Sequence, residues 1–388
     1  MEKVKIGNYV KQIRGVSYKP NDLHNDLNSD SVILLRANNI NEGKINFDDI
    51  VYVDKSKVKK EQYLKKGDIL VCASSGSKEL VGKAAFINKD YAVTFGAFCK
   101  LIRPKDCIAG YLGHYFNSQM YKEKISSLAL GANINNIRNE HIDELLIYLP
   151  NKAEQQNISI LLDEVSDLTD KRKKQLEKLD ELVKSRFIEM FGDIVLNPFS
   201  WEKDYLGVVC DVRDGTHDSP HYHSTGFPLV TSKNVTGGKI DLTDCSLISE
   251  AEFNKINERS KVDMGDIIMP MIGTVGKPVI VNVKPNFAIK NVSLIKFKDN
   301  SRVLNTFIRS LLQSDYFDDA VLSKIRGGTQ KFISLGDIRK LVVIVPPMEL
   351  QNQFADFIEQ VDKLKFEIKQ SLEKLELLKK ALMQKYFG

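Results

Sequence analysis

Two stretches of the chain carry one hydrophobic pattern. From Phe354 onward apolar residues recur at Phe354, Phe357, Val361, Leu364, Ile368, Leu375, Leu378 and Leu382, in steps of three, four and seven. Those steps predict the heptad seam of a long helix. The matching positions earlier in the chain are Ile158, Leu161, Val165, Leu168, Arg172, Leu179, Leu182 and Arg186, so the first seam carries two arginines. Charged residues fill the remaining faces, as on a solvated surface. Each pattern starts just after a proline, Pro150 or Pro346, where the missing N–H costs little. A helix of roughly 40 residues is about 60 Å long at 1.5 Å per residue, too long for one small domain to cover its stripe. The expected partner of each helix is the other, antiparallel about a pseudo-twofold axis.

The helices belong to a longer repeat. Gly131–Gly192 and Gly327–Gly388 align without a gap at an offset of 196, pairing Ile142 with Ile338, Pro150 with Pro346, Gln155 with Gln351, Val165 with Val361 and Phe191-Gly192 with Phe387-Gly388. Weaker matches run through the front of each half: Arg14-Gly15 with Asp214-Gly215, LLRANNINEGKI from Leu34 with LVTSKNVTGGKI from Leu229, Gly67-Asp68-Ile69 with Gly265-Asp266-Ile267, and Gly82-Lys83 with Gly276-Lys277. Residues 1–150 and 193–345 are expected to be two globular domains, and 151–192 and 346–388 the two helices that follow them. Short β-type runs dominate both domains (Asp49–Val53, Asp68–Ala73, Ala84–Ile87, Val279–Val283, Asn291–Phe297), with turn signals between them. Helical stretches are fewer, around Gly110–Leu128 and Leu304–Leu322. The expected fold class is α+β with a strongly twisted sheet.

Composition narrows the function classes. The chain has 388 residues, 43% hydrophobic and 28% charged, as in an ordinary globular protein. It has no apolar run of membrane-spanning length, and MEKVKIGNYV lacks a signal-peptide core, so the expectation is a cytoplasmic protein. Cys72, Cys99, Cys107, Cys210 and Cys245 form no CxxC pair and read as buried thiols. A net charge of +5 permits an anionic partner without demanding one.

Enzyme signatures fail on inspection. Gly76…Gly82-Lys83 has the wrong spacing for a phosphate loop, and Ala84 stands where Ser or Thr is needed. Asn197-Pro198-Phe199 lacks the second proline of an adenine-methyltransferase motif and reads as a chain break. Glu42-Gly43-Lys44 with Asp30 resembles part of a nuclease signature, but Gly237-Gly238-Lys239 in the other copy lacks the acid, so a turn fits better. His217, His221 and His223 with Asp214 and Asp218 have no counterpart in the first half and read as a polar binding loop rather than a metal site. What remains are loops of Gly, Ser, Thr, Asn, Lys and Arg, the side chains that hold phosphates and read base edges. The candidates in the first half are Asn38, Asn39, Ser75, Ser77, Lys78, Asn133, Asn135 and Arg138. In the second half they are Thr216, His217, Ser232, Lys233, Asn234, Thr274, Lys277, Arg326, Thr329, Gln330 and Lys331.

LPNKAEQQNISILLDEV and VPPMELQNQFADFIEQV, each helix ending in an aromatic-glycine pair, together with NPFSWEKDYLGVVCDVRDGTH, MGDIIMPMIGTVGK and GGTQKFIS, make the chain resemble the specificity (S) subunit of Type I restriction–modification systems over essentially its whole length. The first half departs from the pattern at residues 74–83, which are longer than Gly273–Lys277. The resemblance implies two tandem target-recognition domains held by an antiparallel coiled coil, each reading one half of a bipartite, asymmetric site in double-stranded DNA. It implies a non-catalytic subunit of a restriction enzyme and adenine-N6 methyltransferase complex, docking two methyltransferase (M) subunits and, through them, restriction (R) subunits. S-adenosylmethionine, ATP and Mg are then expected in the partner subunits, with no cofactor on this chain. The alternatives are a coiled-coil scaffold whose end domains bind proteins, and a DNA-acting enzyme with an unrecognised site.

Overall fold

The computed structural model describes residues 3–77, 79–130, 136–272, 275–321 and 332–388. The chain divides into two compact units, Met1–Lys173 with Lys369–Gly388, and Lys174–Ile368. Both are α+β and built on one plan.

In the first unit Val10–Arg14, Cys99–Pro104, Ile69–Cys72 and Ala84–Phe86 form an antiparallel sheet in that spatial order. A second sheet orders Thr94–Phe95, Ser31–Leu35, Val51–Asp54 and Leu23–His24, with Thr94–Phe95 parallel to its neighbour. The second unit repeats the first sheet with Asp211–Asp214, Val292–Lys296, Ile267–Pro270 and Val279–Ile280. Its second sheet holds Ser246–Ile248, Phe227–Val230 and Ala288–Ile289, the last pair again parallel. Each unit therefore has two principal sheets where one strongly twisted sheet was expected. The helical stretches are also each divided, Ala109–Tyr115 from Gln119–Leu130 and Asn305–Leu311 from Asp315–Ala320. Ser118 and Ser314 stand at those breaks, where Ser118 Oγ accepts the Tyr121 N–H and Ser314 Oγ donates to the Leu311 carbonyl.

The matched sequence pairs do matched work. Gly67 and Gly265, and Gly82 and Gly276, all hold positive φ in turns beside the central strand, a conformation glycine adopts without a Cβ clash. The carboxylate after the first of these pairs is buried in both units. Asp68 accepts two bonds at 2.8 Å from Arg103, and Asp266 accepts one at 2.6 Å from Lys296. Gln155 Nε2 donates to the Pro150 carbonyl at 2.7 Å while its Oε1 accepts the Ile108 N–H. Gln351 makes the same two bonds, to Pro346 and from Leu304. Each glutamine thus clips the start of a long helix onto its own unit.

The long helices span Lys152–Phe191 and Met348–Phe387. In the first unit the start of one and the end of the other enter one core, where Ile158 and Leu162 join Phe387, Leu382 and Tyr386 around Tyr111 and Tyr115. In the second unit the roles exchange: Phe187 and Phe191 join Phe354 and Ile358 around Phe307. The pairing is antiparallel, as expected, but its seam differs from the sequence reading. The covered positions are Ile158, Leu162, Val165, Thr169, Arg172, Leu176, Leu179, Val183, Arg186 and Met190, and on the second helix Phe354, Ile358, Val361, Lys365, Ile368, Leu372, Leu375, Lys379, Leu382 and Tyr386. Leu161 and Phe357 are half-buried on the flank, and Leu168, Leu182, Leu364 and Leu378 are exposed. One register of the heptad was therefore placed one residue early. On the second helix the cause is that lysine can occupy a seam by laying its stem along it and lifting its ammonium out. Lys365 does so toward Asp180, and burial pulls the Lys379 ammonium below the usual lysine range.

Candidate nucleic-acid interface

Antiparallel pairing gathers particular loops at one end of the principal sheet in each unit. In the first unit Arg14 and Cys72 end their strands where Cys99 begins its own. The segments after Gly15, around Gly96–Phe98 and after Ala73 therefore meet. A Cβ on Gly15 would lie 2.0 Å from the Gly96 carbonyl oxygen, so only glycine permits that approach. Ile137 N–H donates to the Ala73 carbonyl at 2.6 Å, and Ser74 bridges Asn136. The two segments run antiparallel there, so Ser75 and Ser77 lead on from the strand end while Arg138 lies back toward Cys72. The second unit repeats the arrangement. Gly215 packs 2.4 Å (to a Cβ) from the Ile289 carbonyl, Thr216 bridges Lys290, and Ile333 N–H donates to the Met271 carbonyl. Thr216, His217 and Lys277 lie on the segments gathered there.

The other candidates divide. Lys78, Asn133, Asn135, Thr274, Arg326, Thr329, Gln330 and Lys331 lie outside the described residues. Asn39 and Asn234 are buried and internally bonded. Asn39 Oδ1 accepts the Arg36 N–H and its Nδ2 donates to the Asp48 carbonyl; Asn234 does the same with Thr231 and Asp244. They are turn locks that the repeat carries twice, with no face left for a base. Their neighbours differ. Asn38 is exposed but donates to Asp49, Ser232 is half-buried and Lys233 is exposed.

Further polar groups at these sheet ends were not singled out from sequence. In the first unit Arg14 is exposed beside Lys100. Desolvation holds the Lys100 ammonium down to about 8, and it donates to Asn139 Oδ1 and Gln12 Oε1. Phe98 is 70% exposed, with its carbonyl fixed by the Ala73 and Ser74 N–H groups. In the second unit Asp214 binds His217 Nε2 at 2.8 Å and also Arg259, while Asn291 Oδ1 lies 2.9 Å from His217 Nδ1. Lys290 is largely buried and donates to Ser219 Oγ.

The fragments resembling enzyme sites have structural roles. Glu42 and Gly43, both at positive φ, turn the hairpin of Ile40–Asn41 and Lys44–Ile45, and Lys44 pairs with Asp170. Asn197, also at positive φ, caps a turn against Trp201. The His221 backbone N–H donates to Glu252, and the His223 ring lies 4.0 Å from the same carboxylate. Among the described residues no three His, Cys, Asp or Glu side chains are placed to hold a metal ion.

The family model of the Type I restriction modification DNA specificity domain matches residues 1–179 and again residues 198–379. The chain belongs to the Type I specificity-subunit family. It is 30% identical to the Type I restriction enzyme StySPI specificity subunit of Salmonella potsdam, over 97% of this chain and 86% of that one. It is 29% identical, with the same coverage, to the EcoKI specificity subunit of Escherichia coli strain K12. The crystal structure of a Type I S subunit from M. genitalium shares the fold, with a TM-score of 0.60 at 17% identity over 100% of this chain and 96% of that one. Specificity subunits of this family are non-catalytic in general, bind DNA and act with M and R subunits. The two sheet ends thus belong to two tandem recognition domains of a DNA-specificity subunit. No helix among the described residues is long and apolar enough to cross a membrane.

Proposed function

We propose that this specificity subunit reads a bipartite, asymmetric site in double-stranded DNA, each unit reading one half with the loops at the end of its principal sheet. The observation that carries this is one repeated scaffold whose loops at the sheet end bear different polar residues: Ser75, Ser77 and Arg14 in the first unit, Thr216, His217 and Lys277 in the second. Equal linings would read equal half-sites; unequal ones read different half-sites. Two linked weak readers gain affinity through effective concentration, so neither half-site contact needs to be strong alone.

On this reading the chain performs no bond-making step. It positions two M subunits, and through them R subunits, on the site. S-adenosylmethionine serves the methyl transfer in the M subunits, and ATP and Mg serve the R subunits, all in the cytoplasm. Methylome sequencing of a host carrying this chain with its methyltransferase partner tests the proposal. The expected result is methylated adenine within a two-part motif with unlike halves and an unread spacer. A continuous motif, or no new methylation, would count against it.

A further inference from the structure

The second unit carries at its sheet end an imidazole for which the first has no equivalent. His217 follows Gly215 by two residues, and the residue following Gly15 by two is Ser17. Both ring nitrogens of His217 face oxygen acceptors, Nε2 the Asp214 carboxylate at 2.8 Å and Nδ1 the Asn291 amide oxygen at 2.9 Å. A neutral imidazole has one N–H and one lone pair, so it can satisfy only one of these acceptors; the imidazolium satisfies both. Asn291 begins the segment that enters the strand Val292–Lys296, and its own N–H donates to the Thr216 carbonyl, so its place at the sheet end is fixed. With its amide oxygen bound to the ring, its NH2 group has no protein partner among the described residues.

We propose that His217, as an imidazolium held between Asp214 and Asn291, is a positioning residue that turns the Asn291 NH2 group outward as a hydrogen-bond donor to the second half-site. Recognition by the second unit therefore carries the proton of this imidazole, for which the first unit has no counterpart. This rests on the DNA-reading function proposed above. When the ring is neutral, its proton stays on Nε2 for Asp214. The bare Nδ1 then repels the amide oxygen, and Asn291 turns over to offer its NH2 to the ring. The group presented to DNA changes from donor to acceptor, which inverts the base edge it can pair with.

The charged groups around the ring favour the protonated form on balance. The hydrogen bonds to Asn291 and Asp214 raise the histidine above its ordinary value, against desolvation and Arg259. Arg259, from the helix Glu250–Ser260, reaches the other oxygen of the same carboxylate. Lys290 is engaged by Ser219, and Asp218, next in the chain, is exposed. His217 remains protonated below its raised value, and affinity for the second half-site falls as pH rises through it.

The test uses the full chain with its methyltransferase partner and duplexes bearing the motif identified by methylome sequencing, with single-base changes in either half. Binding is measured between pH 6 and pH 9 at constant ionic strength, about the range where an imidazole titrates. The wild type should lose affinity by up to about tenfold per pH unit above the histidine's value, with discrimination lost in the second half-site. His217→Gln should be flat at the weak level. A wild-type profile at the second half-site retained in His217→Gln, or wild-type discrimination there unchanged across the pH range, would overturn the role of His217. Failure to bind the motif duplex at every pH would instead overturn the DNA-reading function itself.

Discussion

Lys365 Nζ donates to Asp180 Oδ1 at 2.6 Å, yet the lysine side chain is 18% exposed and the aspartate side chain 70%. The pair is therefore a buried stem with a solvated salt bridge at its tip. Asp180→Ala should change stability by within about 0.5 kcal/mol, because exposed ion pairs contribute little. Lys365→Ala should cost more, about 1–2 kcal/mol, through lost packing along the seam. Equal losses in denaturant titrations of the two variants would contradict that division.

The same seam separates two apolar residues six positions apart. Ile358 is buried in the core of the second unit, and Leu364 is 50% exposed. Ile358→Ala should cost about 2–5 kcal/mol, as large-to-small changes in cores do. Leu364→Ala should stay near neutral. A large loss for Leu364→Ala in the unbound subunit would restore the seam read from sequence.

Asn39→Ala and Asn234→Ala should each destabilise their own unit by about 1–3 kcal/mol, because buried backbone groups lose their partners. The methylated motif should keep its bases in both variants. A changed half-site with an unchanged melting temperature would return these residues to the DNA interface.

Burial raises Cys72 and Cys107 to about 11 and Cys210 to about 12, pushes Cys99 further up, and raises Cys245 less. At pH 8 these thiols stay protonated, and iodoacetamide should react with the buried ones only after local opening. Half-buried Cys245 should react first, and Cys72 and Cys99 only in denaturant. Because Cys72 and Cys99 lie in the first unit and Cys210 in the second, the labelling order reports which unit opens first. Rapid labelling of Cys99 in the native chain would refute this.

The antiparallel repeat, the α+β class and the glutamine and turn-glycine pairs were legible because each is a local or periodic signal, duplicated at a constant offset. Gln155 and Gln351 match in sequence and in every bond the two share. The seam register was not legible: leucine at 364 is the stronger hydrophobic signal, and only packing shows that lysine at 365 lies inside. The candidate site was legible as a set of loops but not as a set of contacts. Arg259 reaches Asp214 from 45 residues away and Asn291 reaches His217 from 74, and no spacing rule links such positions. Asn39 and Asn234 misled because polarity in a loop looks the same whether it faces DNA or its own backbone.

If the paired helices act as a ruler that sets the unread spacer, the observed three-four seam gives that role a specific form. An insertion of seven residues at matching points in both helices keeps the seam in phase, whereas four shifts it. Seven residues add about 10 Å, roughly three base pairs at about 3.4 Å each. Methylome sequencing should then report a spacer longer by about that amount and both half-sites unchanged; altered half-site bases would defeat the ruler.

The Phe387 ring lies 5.0 Å from that of Tyr111, tilted against it, and the first unit includes residues 369–388, while the second is built from the continuous stretch 174–368. During synthesis the first unit is thereby completed late. The ribosome makes the first unit's sheets early, but the helix turn that seals their hydrophobic interior is made only after the whole second unit has been synthesised. The nascent first half must wait until then with an open apolar face.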